Sequence, residues 1–142
     1  MLERKKQIAG LQLTTIEDKM ITIGAGSPLP TLLVLFTTWC GSCQKAAPII
    51  SSTFGRYTDR LQLVGIGREH TAEELQEWAT EIDSQYQLVA DADRALFQQF
   101  ATMHVPRFYL IDTTGKVLYQ DVNWHPFMLE DIQVAIDKLL KK

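Results

Sequence analysis

The fold is decided by a short stretch in the first third of the chain, which reads TLLVLFTTWCGSC at residues 31–43. It opens with an apolar run that lacks polar alternation, the pattern of a strand covered on both faces. The two cysteines of the chain, Cys40 and Cys43, follow this run and are separated by two small residues, Gly41 and Ser42. A helical pattern starts directly after them. Two thiols at this spacing, between a strand and a helix, favour reversible disulfide chemistry.

Length and composition limit the class of protein. A chain of 142 residues predicts one domain with a substantial core, which we assign to residues 11–142, after a loosely held N-terminal arm at 1–10. The hydrophobic share of 46%, the charged share of 22% and the net charge of −3 are typical of a soluble globular protein. They do not indicate a nucleic-acid partner. No apolar run approaches the length of a membrane span, and no signal-type apolar region follows the basic start.

The two cysteines also exclude some classes. They are too few for a multi-disulfide secreted scaffold or for a four-thiolate zinc site. A disulfide that closes so short a loop adds little as a structural constraint. A chemical role for Cys40 and Cys43 is therefore the better interpretation.

The rest of the chain alternates between strand and helix patterns. Extended segments are predicted as a hairpin at 11–16 and 20–23 and as strands at 61–66, 88–90, 105–111 and 117–120. The helix after Cys43 carries apolar residues that can share one side, namely Ala46, Ala47, Ile49, Ile50 and Phe54. A capping box at Thr71 and Glu74 starts a second helix, with Leu75, Trp78, Ala79, Ile82 and Tyr86 at helical spacing.

Two further helices complete the pattern. A short helix capped by Asp91 or Asp93 is predicted to carry Leu96, Phe97 and Phe100. A terminal helix has Leu129, Ile132, Ile136, Leu139 and Leu140 on its apolar side. A strand–helix–strand start implies a parallel pair, and the late hairpin adds antiparallel strands. The order predicts an α/β fold with a central mixed β-sheet, helices on both faces and an N-terminal β-hairpin.

Three features together resemble one family. Trp39 and the two cysteines form a Trp-Cys-x-x-Cys motif, Pro48 lies five residues after the second cysteine, and Val105-Pro106 precedes the late hairpin. Over roughly residues 10–140 this resembles the thioredoxin superfamily, and within it the extracytoplasmic TlpA- and ResA-like thiol-disulfide oxidoreductases. The resemblance implies a thioredoxin-like fold.

The resemblance also implies roles for residues around the motif. Cys40 would be the exposed nucleophile, Cys43 the buried resolving thiol, and Pro106 a cis-proline that faces their disulfide. Substrate contacts would come from the residues next to these, namely Trp39, Gly41, Ser42, Val105, Pro106 and Arg107. No metal and no cofactor beyond the Cys40–Cys43 disulfide is expected.

Partners and compartment follow from the same resemblance. The substrates would be protein disulfides or dithiols, an upstream thiol would supply electrons, and the protein would act as a monomer. The compartment would be the periplasm or another extracytoplasmic space, with the cytoplasm as the alternative.

The sequence departs from the family pattern at three positions. Thioredoxins proper carry a buried Asp six residues before the first cysteine, where this chain has Val34. ResA-like members often carry a Glu three residues after the second cysteine, where this chain has Ala46. The residue after the cis-proline is commonly Thr, and here it is Arg107. The usual proton-handling carboxylates are thus missing, while a cation is added.

Some alternatives stay open from sequence alone. One alternative is a metal site formed by Cys40 and Cys43 with His70, His104 or His125. None of these histidines has a characteristic ligand spacing to the cysteines. A binding module that only tethers a client through its thiols is a third reading. His104 and Glu69 are candidate substitutes for the missing proton carrier. For Trp39 the alternative roles are packing and substrate contact. For Arg107 the alternatives are a solvated side chain and stabilisation of the Cys40 thiolate.

Overall fold

The computed structural model describes residues 7–93, 95–96, 98, 106–122, 124–125 and 127–140. Its strands are β1 (Leu11–Thr14), β2 (Met20–Ile23), β3 (Thr31–Phe36), β4 (Gln62–Arg68), β5 (Gln87–Asp91), β6 (Arg107–Ile111) and β7 (Val117–Val122). Its helices are α1 (Gly41–Phe54), α2 (Ala72–Ile82) and α3 (Met128–Leu140). Within these residues, no helix combines the length and the apolar character that crossing a bilayer requires.

The strands form a mixed five-stranded sheet in the order β5-β4-β3-β6-β7 and a separate β1-β2 hairpin. Strand β3 pairs in parallel with β4, and β4 pairs in parallel with β5. Strand β6 runs antiparallel to β3, and β7 runs antiparallel to β6. The predicted fold class is therefore confirmed, including the parallel start, the late antiparallel hairpin and the N-terminal hairpin.

Strand β3 lies at the centre of the sheet, and all six of its residues are buried. Because strand side chains alternate between faces, its residues divide between two clusters. Leu32, Val34 and Phe36 belong to a first cluster, which also contains residues of the helices. Leu33 and Leu35 belong to a second cluster on the opposite face. This confirms the interpretation of the apolar run as a doubly covered strand.

The two clusters have different coverings. Helices α1, α2 and α3 each contribute buried side chains to the first cluster, among them Ala47, Leu75 and Ile132. The second cluster is covered by the β1-β2 hairpin, through Leu13, Ile21 and Ile23, and by Ile8 before it. The partly buried Leu96 also packs there. It is the described member of the predicted short helix, whose Phe97 and Phe100 lie outside the described residues.

Two predicted helix faces need correction. Ile49 was expected on the buried side of α1, but it is 40% exposed, and Cys43 joins the buried side instead. Tyr86 was expected on the second helix, which ends at Ile82 because Asp83 adopts a left-handed backbone (φ 53°). Tyr86 still reaches the first cluster from the following segment, and its hydroxyl donates to the Ala47 carbonyl at 2.8 Å.

The described end of the N-terminal arm is held more firmly than predicted. Gln7 forms a β-bridge with Lys116, and the Ile8 N–H donates to the Gly115 carbonyl at 2.7 Å. The Ile8 side chain is 6% exposed. Residues 7–8 are therefore tied to the β6–β7 turn, because an apolar side chain buried in the second cluster anchors them.

Candidate active site

Cys40 lies at the junction that the sequence indicated. Strand β3 ends at Phe36, residues 37–39 turn, and Cys40 is the N-cap residue of α1, with an extended backbone (φ −76°, ψ 128°). The first turn of a helix has backbone N–H groups without intrahelical acceptors, and it is the positive end of the helix dipole. The Cys40 side chain is half-buried there. Such a position stabilises negative charge on a sulfur atom.

Cys43 lies in the first turn of α1, in very different surroundings. It is 2% exposed and belongs to the first cluster. Burial raises the pKa of Cys43 to about 12, although the Thr37 backbone N–H, which donates to its sulfur, and the charge of Arg68 oppose this. A hydrogen bond links the Cys40 and Cys43 thiols, which also raises the Cys43 pKa. The structure thus places one partly exposed and one buried free thiol in contact.

The backbone that precedes Cys40 is fixed by three hydrogen bonds. The Thr38 N–H donates to His70 Nε2 at 2.9 Å, and the Thr38 carbonyl accepts from Gln44 Nε2 at 3.0 Å. The Gln44 N–H donates to the Cys40 carbonyl at 2.9 Å. Both polar groups of the Thr38 backbone are therefore used, and this restricts the orientation of its peptide groups. Sequence reasoning missed the roles of His70 and Gln44, because neither stands at a motif position.

Trp39 is partly packed and partly exposed. Its side chain is 57% exposed, and its ring centroid lies 4.8 Å from that of His70. One part of the indole thus packs on a buried imidazole while the rest faces solvent beside Cys40. An aromatic surface held in this way is suited to contact a substrate chain.

Pro106 and Arg107 enter the sheet next to this loop. Pro106 is buried and directly precedes β6. In β6 Arg107 pairs with Leu35, so continuing the register places Pro106 beside Phe36, at the end of β3. Val105, the other candidate substrate contact here, lies outside the described residues. Gly41 and Ser42 form the start of α1, and Gly41 is exposed.

The expectation of a solvated Arg107 is wrong. Its side chain is 1% exposed. Its neighbour Phe108 belongs to the first cluster and Tyr109 to the second, so the alternation directs Arg107 to the second face. That face is opposite to the one where α1 packs. The pattern of the sequence could not show this, because the face that Arg107 occupies depends on the register of β6 against β3.

The remaining candidate metal ligands and proton carriers are placed as follows. His70 Nε2 is engaged by Thr38, and His125 Nε2 lies 3.3 Å from Asp121 Oδ2. Glu69 Oε2 lies 3.4 Å from Arg68 Nε. His104 lies outside the described residues. Across the described part of the chain, no three His, Cys, Asp or Glu side chains are grouped in a way that would hold a metal ion.

The fold and the Cys-x-x-Cys pair at the start of a helix define a thioredoxin-like protein. The chain belongs to the AhpC/TSA family, whose sequence profile matches residues 6–120. This match confirms the resemblance to the thioredoxin superfamily.

Individual relatives carry names from thiol chemistry. Thiol-disulfide oxidoreductase YkuV of Bacillus subtilis (strain 168) is 29% identical over 93 residues, which are 62% of this chain and 63% of that protein. Thiol-disulfide oxidoreductase ResA of Bacillus cereus (strain ZK / E33L) is 20% identical over 114 residues, 80% of this chain and 66% of that protein. The chain thus spans slightly less than two thirds of these relatives.

A solved structure shows the same fold. The solution structure of a candidate protein disulfide isomerase from Bacteroides thetaiotaomicron matches with a TM-score of 0.85 at 23% identity. The match covers 96% of this chain and 89% of the other.

Proposed function

We propose that this protein is a thiol-disulfide oxidoreductase that reduces protein disulfides through a reversible Cys40–Cys43 disulfide. The observation that carries the proposal is the contact between a half-buried thiol at the N-terminus of α1 and a buried thiol in its first turn. The names of the YkuV and ResA relatives support the same reaction class. No cofactor other than the cysteine pair is needed.

The first step is attack by the Cys40 thiolate on a substrate disulfide. A new S–S bond forms between Cys40 and one substrate sulfur, the substrate S–S bond breaks, and the other substrate sulfur leaves as a thiolate. The unpaired N–H groups at the start of α1 favour the attacking thiolate. The exposed part of Trp39 offers an apolar surface to the substrate chain next to the reacting sulfur.

The second step is attack by Cys43 on the Cys40 sulfur of the mixed disulfide. The Cys40–Cys43 bond forms, the mixed disulfide breaks, and the second substrate sulfur leaves and takes up a proton. Cys43 must lose its own proton first, and burial opposes this because its pKa is raised to about 12. The Thr37 N–H and the positive charge of Arg68 stabilise the transient Cys43 thiolate.

The cycle requires a dithiol donor that reduces the Cys40–Cys43 disulfide, which we expect to be another protein. We place the reaction in an extracytoplasmic compartment, by similarity to the ResA-like branch, and expect a monomer. Reductases and oxidants of this fold span reduction potentials from roughly −270 to −120 mV. A redox titration that places this protein at the oxidising end would contradict the reductase direction.

Insulin reduction by dithiothreitol tests the proposal directly. Wild type is expected to accelerate the reaction, and Cys40→Ser is expected to remove the acceleration, since no other thiol is poised to attack. Equal rates for the two proteins would overturn the assignment of Cys40. Thiol counts with and without EDTA distinguish a redox disulfide from a metal site, because only metal release changes with the chelator.

A further inference from the structure

His70 is a buried polar residue that the exchange steps leave without a role. It lies between β4 and α2 and is 1% exposed. Its Nε2 accepts the Thr38 N–H at 2.9 Å, and its ring contacts the indole of Trp39. The imidazole therefore touches two consecutive residues of the segment that leads into Cys40.

The hydrogen bond defines the state of the ring. A backbone N–H can only donate, so His70 Nε2 must be the unprotonated nitrogen and Nδ1 must carry the hydrogen. His70 Nδ1 lies 3.7 Å from Glu74 Oε2, an electrostatic contact longer than a direct hydrogen bond. Burial lowers the pKa of His70, although Glu74 and Glu69 oppose this. The neutral imidazole is thus the form that the site holds.

The surrounding chain is shaped to direct this ring to the loop. Glu69 adopts a left-handed backbone (φ 64°), which is uncommon for a residue other than glycine. A Cβ added at Gly67 would lie 2.6 Å from Leu75 Cδ2 and 3.3 Å from His70 Cδ2, so glycine leaves room for the ring. The capping box of Thr71 and Glu74 then fixes the start of α2 immediately after His70. Local strain of this kind is often maintained at functional sites.

We propose that His70 is a positioning residue for disulfide exchange, whose neutral imidazole fixes the Thr38–Trp39 backbone so that Cys40 is presented at the start of α1. Gln44 holds the Thr38 carbonyl from the other side, but it is an exposed residue of α1 itself. His70 is a buried residue that ties the loop to a different part of the fold. The inference rests on the proposed function, since presentation of Cys40 matters only if Cys40 reacts.

The proposal has a consequence for pH. A proton added to His70 Nε2 would place a second donor against the Thr38 N–H and break the bond. The negative charges of Glu74 and Glu69 favour the proton, whereas burial beside Phe36 and Trp39 disfavours it. The contact is therefore complete at neutral pH and is lost only in acid, below the ordinary histidine range.

Three variants separate positioning from general stability. His70→Gln keeps an acceptor that reaches the Thr38 N–H, while His70→Phe keeps an aromatic ring and removes the acceptor. Ser51→Ala is the matched control, because Ser51 Oγ accepts the Gln85 N–H at 2.7 Å and is also buried. It removes one acceptor of a backbone N–H at a distance from the cysteines.

Two measurements are made on each protein, namely amide hydrogen exchange at Thr38 and the rate of Cys40 alkylation by iodoacetamide across pH. We expect His70→Phe to expose the Thr38 amide to exchange and to slow alkylation about tenfold at neutral pH, the scale of one lost buried hydrogen bond. His70→Gln should restore both to within about threefold, and it should lack the extra loss of reactivity that wild type shows in acid. Ser51→Ala should leave both unchanged.

Two outcomes would overturn the inference. One is alkylation of His70→Phe at the wild-type rate while the Thr38 amide exchanges freely, since the loop would then be loose without effect on Cys40. The other is an equal loss in His70→Phe, His70→Gln and Ser51→Ala, which indicates general destabilisation. Failure of the proposed function has a different signature, because wild type would then be alkylated at Cys40 and still fail to reduce insulin.

Discussion

Cys40 and Cys43 are three residues apart, yet the loop end and the helix turn that hold them are opposite environments. Cys40 is half-buried at the end of the loop, where the backbone N–H groups of α1 begin. Cys43 is 2% exposed among the side chains of the first cluster, and its pKa is raised to about 12. This difference supports the order of the two proposed steps. In that proposal the accessible thiol attacks first, and the buried one acts only inside the mixed disulfide.

Cys43 has no carboxylate at either of the two positions where the family pattern places one. Val34 and Ala46, where relatives of the fold carry acids, are both buried in the first cluster. The groups that lower the Cys43 pKa are a backbone N–H and a cation, and each acts by stabilising the thiolate. Neither accepts a proton. We therefore expect the proton of Cys43 to leave to solvent or to the substrate thiolate, and its loss to limit the second step.

The largest expected effect comes from removing the buried thiol. Cys43→Ser should lower insulin-reduction turnover by at least about 100-fold, because the mixed disulfide on Cys40 then has no internal attacker. Cys40 alkylation should stay within a few-fold of wild type. Mass spectrometry should show that the variant accumulates as a mixed disulfide on Cys40. Full turnover with no accumulated mixed disulfide would mean that Cys43 is not the resolving thiol.

A second expectation concerns the rate of the resolving step. Burial raises the pKa of the Cys43 thiol well above neutral pH, so its thiolate fraction is small at pH 7 and rises about tenfold per pH unit. Release of substrate from a preformed mixed disulfide should therefore accelerate about tenfold per unit between pH 7 and pH 9 in stopped-flow experiments. A plateau in this range would show that a local base takes the proton.

A third expectation concerns stability in alkali. The unfolded thiol ionises near pH 8.5, while the folded Cys43 keeps its proton up to about pH 12. The folded state then binds more protons than the unfolded state, so stability falls as pH rises through this window. The slope contributed by Cys43 is at most about 1.4 kcal/mol per pH unit.

Urea unfolding of the reduced protein at several alkaline pH values measures this slope. Cys43→Ala provides the control, since lysines and tyrosines that titrate in the same range remain in both proteins. The difference in pH slope between the two belongs to Cys43. Parallel curves would mean that the thiol is not held protonated by the fold.

The smallest expected effect is at Thr37, the first residue after β3. Its hydroxyl oxygen is buried and has no hydrogen-bond partner among the residues that the structure describes. Thr37→Val removes this hydroxyl and keeps the backbone N–H that donates to Cys43. The free energy of unfolding should change by less than about 1 kcal/mol, and in the stabilising direction if it changes. A loss above that would reveal a partner for the hydroxyl.

Local sequence patterns predicted the strand–helix junction around the cysteine pair, the mixed sheet and the capping box at Thr71. These features depend on neighbouring residues in the chain, through the alternation of strands, the period of helices and the preferences of caps. The sequence also marked Cys40 and Cys43 as the candidates for chemistry. It gave no measure of how differently the two thiols are buried.

Other features of the site depend on contacts between segments that are distant in the chain. The burial of Arg107 on the second face depends on the register of β6 against β3, which a single strand does not encode. The Thr38–His70 bond joins residues 32 positions apart, and it depends on the backbone turn at Glu69 and on the space left at Gly67. Such contacts arise where separate segments meet. Local patterns therefore located the reacting sulfur atoms, and packing between segments determined their environments.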